Sequence, residues 1–416
     1  MPRFIPPSFN LPVAWMVDFS LPVLLKQVMN IDDVVIKPED LNQLRRLRKE
    51  RLLYLSNHPS TGEPAVAYYV ANRMGSRFHY MASRQVFDWG YGVIGKFIQS
   101  LGAFSVLPGS SDRDAVKTSR KILSAPAGKL VVFPEGEPTS GENDNLMPFQ
   151  AGIAQLGFWA LEDARKTDPQ AEIFVQPTFV KYIISGTDVS IKAELHDSLK
   201  KLERRYRIDP GNKNLLRRFL TLGRVLLEAA EKEYHIRQAA TDDFDYRVGR
   251  VRHTILDGVA DRLRLEHFDR RADAIIKLRH LLSALEMCAL GFTDRGVPQL
   301  NASELQWAHR ECGKAYDFIV IKPGYLTEYP SAERLFEWLD RYEAYAYGKH
   351  RTRPRTAHVL MSTPVRLSRY YDAYKQNRRN TVEDFTSKLR TIIEQLRVKG
   401  MQLSQPIVRP GDTGME

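Results

Sequence analysis

The chain has 416 residues, 43% of them apolar and 27% charged, so it can bury a substantial core and carries the charge of an ordinary soluble protein. Its net charge of +11 favours an anionic partner: a membrane surface, an acidic carrier protein, a phosphorylated ligand or nucleic acid. The two cysteines, Cys288 and Cys312, stand in no metal-ligand spacing and imply no disulfide framework, which fits a reducing compartment.

Residues 1–36 read as an irregular apolar arm. Met1-Pro2-Arg3-Phe4-Ile5-Pro6-Pro7 lacks the n-region and continuous h-region of a signal peptide. The run from Leu11 to Leu25 is broken by Pro12, Asp18 and Pro22 and is shorter than the ~20 apolar residues that span a bilayer. Those prolines predict no long amphipathic helix. Trp15, Phe19, Leu24 and Leu25, with Lys26 behind them, suit shallow insertion at a lipid interface or packing on the protein's own core. A short strand at 34–36 is followed by a helix over 38–50 with a basic cluster, Arg45-Arg46-Leu47-Arg48-Lys49. That cluster is a solvated face or a contact for phospholipid headgroups.

Strands and helices then alternate. Strands are predicted over 52–56, 78–82, 104–107, 129–133, 172–182 and 189–195, and helices over 63–74, 91–101, 113–124 and 150–166. Asp112 is placed to cap the third of these helices. The alternation predicts an α/β core over 37–196, with a mostly parallel sheet flanked by helices. Residues 197–355 read as a large, mainly helical insertion, with apolar residues at three- and four-residue spacing. A closing strand and helix over 356–400 return to the core, and a Pro/Gly-bearing tail over 401–416 is expected to be disordered.

Between the first strand and helix of the core lies Asn57-His58-Pro59-Ser60-Thr61-Gly62-Glu63-Pro64. Pro59 disfavours a helical conformation at His58, so His58 and Glu63 share no continuous helix. The Pro-Ser-Thr-Gly turn can instead fold back. Glu63 could then accept a hydrogen bond from one imidazole nitrogen, fix the tautomer and leave the other nitrogen to take a proton from a hydroxyl. The same residues also fit a capping box, with Ser60 as N-cap, Glu63 at N3 and Pro64 in the first turn. The H-x4-E pattern alone serves both readings. A second loop, Phe133-Pro134-Glu135-Gly136-Glu137-Pro138-Thr139-Ser140, leaves another hydrophobic strand at about the same place in the topology.

With Gly102-Ala103-Phe104 between these loops and Val175-Gln176-Pro177 after them, the chain resembles the glycerolipid acyltransferase family over roughly 50–195 and, more faintly, 356–398. The resemblance implies a glycerolipid-acyltransferase-like α/β fold. It implies an O-acyltransferase of the 1-acylglycerol-3-phosphate acyltransferase kind, serving phospholipid biosynthesis. The acyl group would pass directly from a coenzyme A or acyl-carrier-protein thioester to a hydroxyl of a glycerol phosphate or lysophospholipid-type acceptor. By resemblance, His58 is the general base, Glu63 orients it, and Glu135 and Gly136 help hold the acceptor. No cofactor beyond the acyl donor and no metal is expected, and His253, His267 and His280 read as structural or surface residues.

Two departures bear on the acceptor. The family's arginine in the second block falls at Pro108, and Glu137-Pro138-Thr139 stands where the family continues Thr-Arg-Ser. Arg84, Arg113 and Lys181 are the basic residues able to substitute as phosphate ligands. The expected location is cytoplasmic, peripheral on the inner face of a membrane. The expected partners are the lipid surface, the thioester donor and a lysolipid or glycerol acceptor. No nucleic acid is expected, since no reader motif is present. The missing arginines also motivate an alternative, a catalytically silent lipid- or partner-binding protein on the same fold.

Overall fold

The apolar runs become one eight-stranded sheet in the computed structural model, which describes residues 4–107, 112–136, 142–237, 243–292, 297–321 and 323–412. The strands are β1 (Ile31–Ile36), β2 (Arg51–Ser56), β3 (His79–Ser83), β4 (Ala103–Val106), β5 (Lys129–Val132), β6 (Ile173–Ile184), β7 (Arg355–Met361) and β8 (Val365–Arg366). Their order is β1-β7-β6-β2-β5-β3-β4, and β8 pairs with β6. The β1–β7, β2–β6, β2–β5, β5–β3 and β3–β4 pairs are parallel, while β6–β8 is antiparallel. The protein is therefore an α/β protein with a mostly parallel sheet flanked by helices. The chain divides into two units, residues 1–183 with 354–403, and residues 184–353 with 404–416.

The first unit carries α1 (Leu11–Met29), α2 (Pro38–Arg46), α3 (Glu63–Met74), α4 (Val93–Ser100), α5 (Arg113–Ser124) and α6 (Gly152–Arg165). The second carries α7 (Asp188–Tyr206), α8 (Leu215–Glu233), α9 (Phe244–Leu263), α10 (Ala274–Ala289), α11 (Ala302–Val320), α12 (Pro323–Glu328) and α13 (Ala332–Tyr347). The chain then returns to the first unit for α14 (Tyr371–Gln376) and α15 (Arg378–Met401).

The run Leu52-Leu53-Tyr54-Leu55 is continuously apolar because both sheet faces are covered. Leu52 and Tyr54 enter the core shared with α1 and α3, and Leu53 and Leu55 enter the one shared with α5, α6 and α15. The alternation is the two-residue period of a strand, and it needs no polar face when helices lie on both sides. The helical unit has its own core, in which Leu195 and Leu199 of α7 pack with Phe219 of α8 and Leu335 and Leu339 of α13.

Several expectations need correction. The arm at 11–29 is one helix, not irregular chain. Pro12 sits in its first turn, where the missing N–H costs nothing, and Asn10 caps it by accepting the Val13 N–H at 3.2 Å. Pro22 lies inside the helix, which persists because Ala14, Val17, Leu21 and Leu25 form a buried stripe at helical spacing. Residues 189–195 belong to helix α7, not to a strand. Thr187 and Ser190 form a capping box, and the apparent alternation is the start of a stripe that runs on through Ile191, Leu195, Leu199 and Leu202. The tail is not disordered from 401. Met401 ends α15, the Ile407 N–H donates to the Pro330 carbonyl at 3.0 Å, and Pro406 bridges to Ser331. The apolar Ile407 and Val408 give this segment a place against the helical core.

Candidate active site

Strands β2 and β5 run side by side with Leu55 opposite Val132. The two loops singled out in the sequence therefore leave neighbouring strands at the same edge of the sheet. On the other side of β2, Ser56 pairs with Thr178, but β6 continues to Ile184. The backbone groups of that overhang lose their strand partner and find side chains instead. Asn57 Oδ1 accepts the Val180 N–H at 2.7 Å, and its Nδ2 donates to the Val180 carbonyl at 3.1 Å. Asn143 donates to the same carbonyl at 2.8 Å and accepts the Tyr182 N–H at 2.8 Å. Asn57 is thus more than a turn residue. It locks the start of the His58 loop to β6.

The loop folds back as its proline and glycine suggest. His58 Nδ1 lies 2.8 Å from Glu63 Oε2. A carboxylate can only accept, so Nδ1 carries the proton and Nε2 is left with a lone pair. Nε2 has no hydrogen-bond partner among the described residues, and 13% of the His58 side chain is exposed. The imidazole stacks on Phe133 with ring centroids 4.3 Å apart.

Glu63 is 1% exposed, yet its carboxylate is fully partnered. Oε2 also accepts the Ser60 N–H at 2.8 Å, and Oε1 accepts the Ser60 hydroxyl at 2.7 Å and the Tyr182 hydroxyl at 2.5 Å. Burial alone would push this carboxyl up, but His58, Tyr182 and Arg355 outweigh it and hold it below the usual carboxylate range. The capping box is only half made. Glu63 opens helix α3 rather than occupying its third position, and the Ser60 hydroxyl donates to Glu63 while accepting the Gly62 N–H at 3.2 Å. Space at Gly62 is tight: a Cβ there would lie 3.1 Å from the Tyr182 hydroxyl and 3.3 Å from Ile31.

Glu135 is also 1% exposed, but it contacts backbone. Oε1 accepts the His58 N–H at 2.9 Å and Oε2 accepts the Met147 N–H at 2.7 Å. Burial pushes its carboxyl up to about 7 against the pull of those two N–H groups. Glu135, expected to hold the acceptor, accepts N–H groups from the His58 loop and from the segment that follows. Gly136 has φ +83, a left-handed conformation in which a side chain is strained, and a Cβ there would also displace the end of the Gln150 side chain, 1.8 Å away.

The expected phosphate ligands are scattered. Arg84 is 1% exposed and donates to Asp88 at 2.8 Å. Lys181 is wholly buried and pairs with Asp144 at 2.5 Å. Arg113 is exposed at the first turn of α5, the helix that lies between β4 and β5 in the chain. Pro108 and Glu137-Pro138-Thr139-Ser140 lie outside the described residues. Sequence reasoning missed Tyr182 and Arg355. The first ends an apolar strand and the second sits in a run of arginines, and neither position carries a local signal.

The arrangement can act chemically as a general base: one imidazole nitrogen is fixed by a buried carboxylate and the other has no hydrogen-bond partner among the described residues. Residues 35–174 match the family model described as Acyltransferase. No curated protein matches the chain. The matched stretch contains His58, Glu63 and Glu135 and ends before Tyr182 and Arg355.

Proposed function

From the match of residues 35–174 to the acyltransferase family model, we propose that the protein moves a fatty acyl group from a coenzyme A or acyl-carrier-protein thioester to a hydroxyl of a glycerol phosphate or lysophospholipid-type acceptor. The observation that carries this reading is the His58–Glu63 contact at 2.8 Å with Nε2 left open. The acceptor hydroxyl gives its proton to Nε2 as its oxygen attacks the thioester carbonyl carbon. The buried Glu63 carboxylate stabilises the imidazolium that forms. The tetrahedral intermediate then expels the thiolate, which takes the proton from Nε2. No acyl-enzyme is needed. The exposed Arg113 is the remaining basic candidate for an anionic headgroup, since the buried Arg84 is paired with Asp88 and Lys181 with the buried Asp144.

The reading includes work at a lipid surface. Outside its buried stripe, α1 exposes Trp15, Met16, Phe19 and Val23, and Phe19 is 92% exposed. Helix α4 packs beside α1 and adds Val93, Ile94 and Phe97. Tyr91 is held at φ +57 with its ring entirely in solvent, a conformation that costs energy for a bulky residue. Asp18, the acid within α1, is turned inward onto Arg77 and Tyr68. Among the described residues, α1 is the helix long and apolar enough to cross a bilayer. Its inward stripe and Asp18 tie it to the domain, so we place it flat at the interface.

The test is purified protein with labelled acyl-coenzyme A and acyl carrier protein, a panel of lysolipid and glycerol acceptors, and His58→Ala as control. Transfer that vanishes in His58→Ala is expected. Full activity in that variant overturns the mechanism. Vesicle binding with no turnover on any acceptor favours the catalytically silent alternative instead. Trp15→Ser with Phe19→Ser is expected to cut flotation with anionic vesicles while leaving His58-dependent transfer to soluble acceptors intact.

A further inference from the structure

The anion behind His58 is itself built from parts that lie far along the chain. Tyr182 comes from the overhang of β6 and Arg355 from the first residue of β7, both beyond the stretch that matches the acyltransferase family. Arg355 is fixed at two levels. Its backbone N–H donates to the Asn30 carbonyl at 3.0 Å in the β1–β7 register. Its guanidinium lies 3.7 Å over the Tyr182 ring and donates to the Ser60 hydroxyl at 3.0 Å. Ser60 in turn donates to Glu63, so the positive charge reaches the carboxylate through one hydroxyl. The Tyr182 hydroxyl reaches it directly. With His58 Nδ1 and the Ser60 N–H, these donors occupy four positions on the Glu63 carboxylate, as many as it has lone-pair sites.

We infer that Tyr182 and Arg355 are positioning residues for the acyl-transfer base, holding Glu63 ionised and in one orientation so that His58 presents an unprotonated Nε2. This inference rests on the proposed role of His58. The direction of the effect follows from charge. A donor and a cation beside the dyad both favour its deprotonated form, so the base is available at lower pH than it would be without them. Burial and the Glu63 charge push the Tyr182 phenol far above its ordinary range, so it stays protonated and acts as a donor. Among the described residues, Glu135 also faces the dyad and opposes them as a nearby potential anion. Residues that reach His58 only through Glu63 thus set the pH at which the site works.

The test compares wild type with Tyr182→Phe, Arg355→Met and Arg355→Lys. The pH profile of kcat/KM is measured for each, along with the titration of the dyad followed by imidazole carbon shifts in labelled protein. Tyr182→Phe keeps the ring that packs under Arg355 and removes only the hydroxyl. The acid limb and the dyad titration are expected to move to higher pH by about one unit in Tyr182→Phe and Arg355→Met, with Arg355→Lys restoring most of the shift. A uniform loss of rate with both midpoints unmoved, or Lys failing to rescue Met, overturns the inference. The imidazole titration reads the inference without turnover. A wild-type protein that transfers no acyl group therefore overturns the proposed function alone, while the movement or stillness of the titration still decides the role of Tyr182 and Arg355.

Discussion

Glu63 and Glu135 sit at the ends of neighbouring structural units of one site, each 1% exposed, and their acidities diverge. Glu63 is held below the usual carboxylate range and Glu135 is raised to about 7. Burial is the same, so burial is not what separates them. The partners are. Glu63 is held by an imidazole, a phenol and, through Ser60, a guanidinium, groups whose charge or protonation can respond to chemistry. Glu135 is held by two backbone N–H groups, which fix shape and carry no net charge. In the proposed mechanism one buried carboxylate serves the reaction, while the other holds the loop that carries His58. A motif match marks both without telling them apart.

That contrast can be broken at its strongest point first. His58→Ala is expected to cut transfer by about 10²–10⁴-fold, the usual worth of a general base, with a urea unfolding midpoint near wild type. Glu63→Gln is expected to fall within roughly tenfold of that loss, because an amide neither stabilises an imidazolium nor fixes the productive tautomer. Glu135→Ala should do the reverse. It leaves two N–H groups without an acceptor and is expected to lower stability by roughly 2–6 kcal/mol at 1–3 kcal/mol for each, read from urea denaturation. A Glu135 variant that keeps its stability and loses only turnover would erase the distinction.

A smaller effect is the pH dependence of stability. Glu135 has its folded-state acidity weakened, from the ordinary 4.5 to about 7. The folded protein therefore keeps this proton longer than the unfolded chain does, and the associated stability is present below 4.5 and lost as pH rises through about 7. Glu63 has the opposite sign: its contribution is present above the ordinary carboxylate value of 4.5 and is lost as pH falls through its lowered folded value. Unfolding midpoints from pH 4.5 to 7 should thus decline less steeply in Glu135→Gln than in wild type. An unchanged slope would show that the two N–H groups keep Glu135 ionised throughout.

Much of the core was legible because its signals are local. The run Leu52 to Leu55 is apolar without interruption, which only a strand covered on both faces tolerates, and Asp112 caps α5 by accepting the Ala115 N–H at 3.0 Å, as its position ahead of the helix suggests. Residues 189–195 were misread because seven residues of alternation do not outweigh a helical stripe that continues beyond them. The helix at 11–29 was missed because the propensity cost of Pro22 is visible in sequence and the compensating stripe of contacts to the core is not. Lys181 looked like a free cation for the same reason: its partner Asp144 meets it only once the chain is folded, whereas Asp88, four residues after Arg84, was a local partner open to sequence reading.

By itself, the sequence determined that a histidine leaves a buried strand, that a glutamate opens the next helix, and that a Phe-Pro-Glu-Gly turn leaves another strand. Those facts depend on neighbours within a few residues, where turn chemistry and side-chain period govern. Tertiary structure alone decided that β5 lies beside β2, so that Phe133 stacks on His58 and Glu135 holds its N–H. It also decided that Tyr182 and Arg355, separated by 119 and 292 residues from Glu63 in the chain, close around one carboxylate. Their meeting is set by strand order and register, which arise from packing the whole sheet at once and leave no trace in any short window of residues.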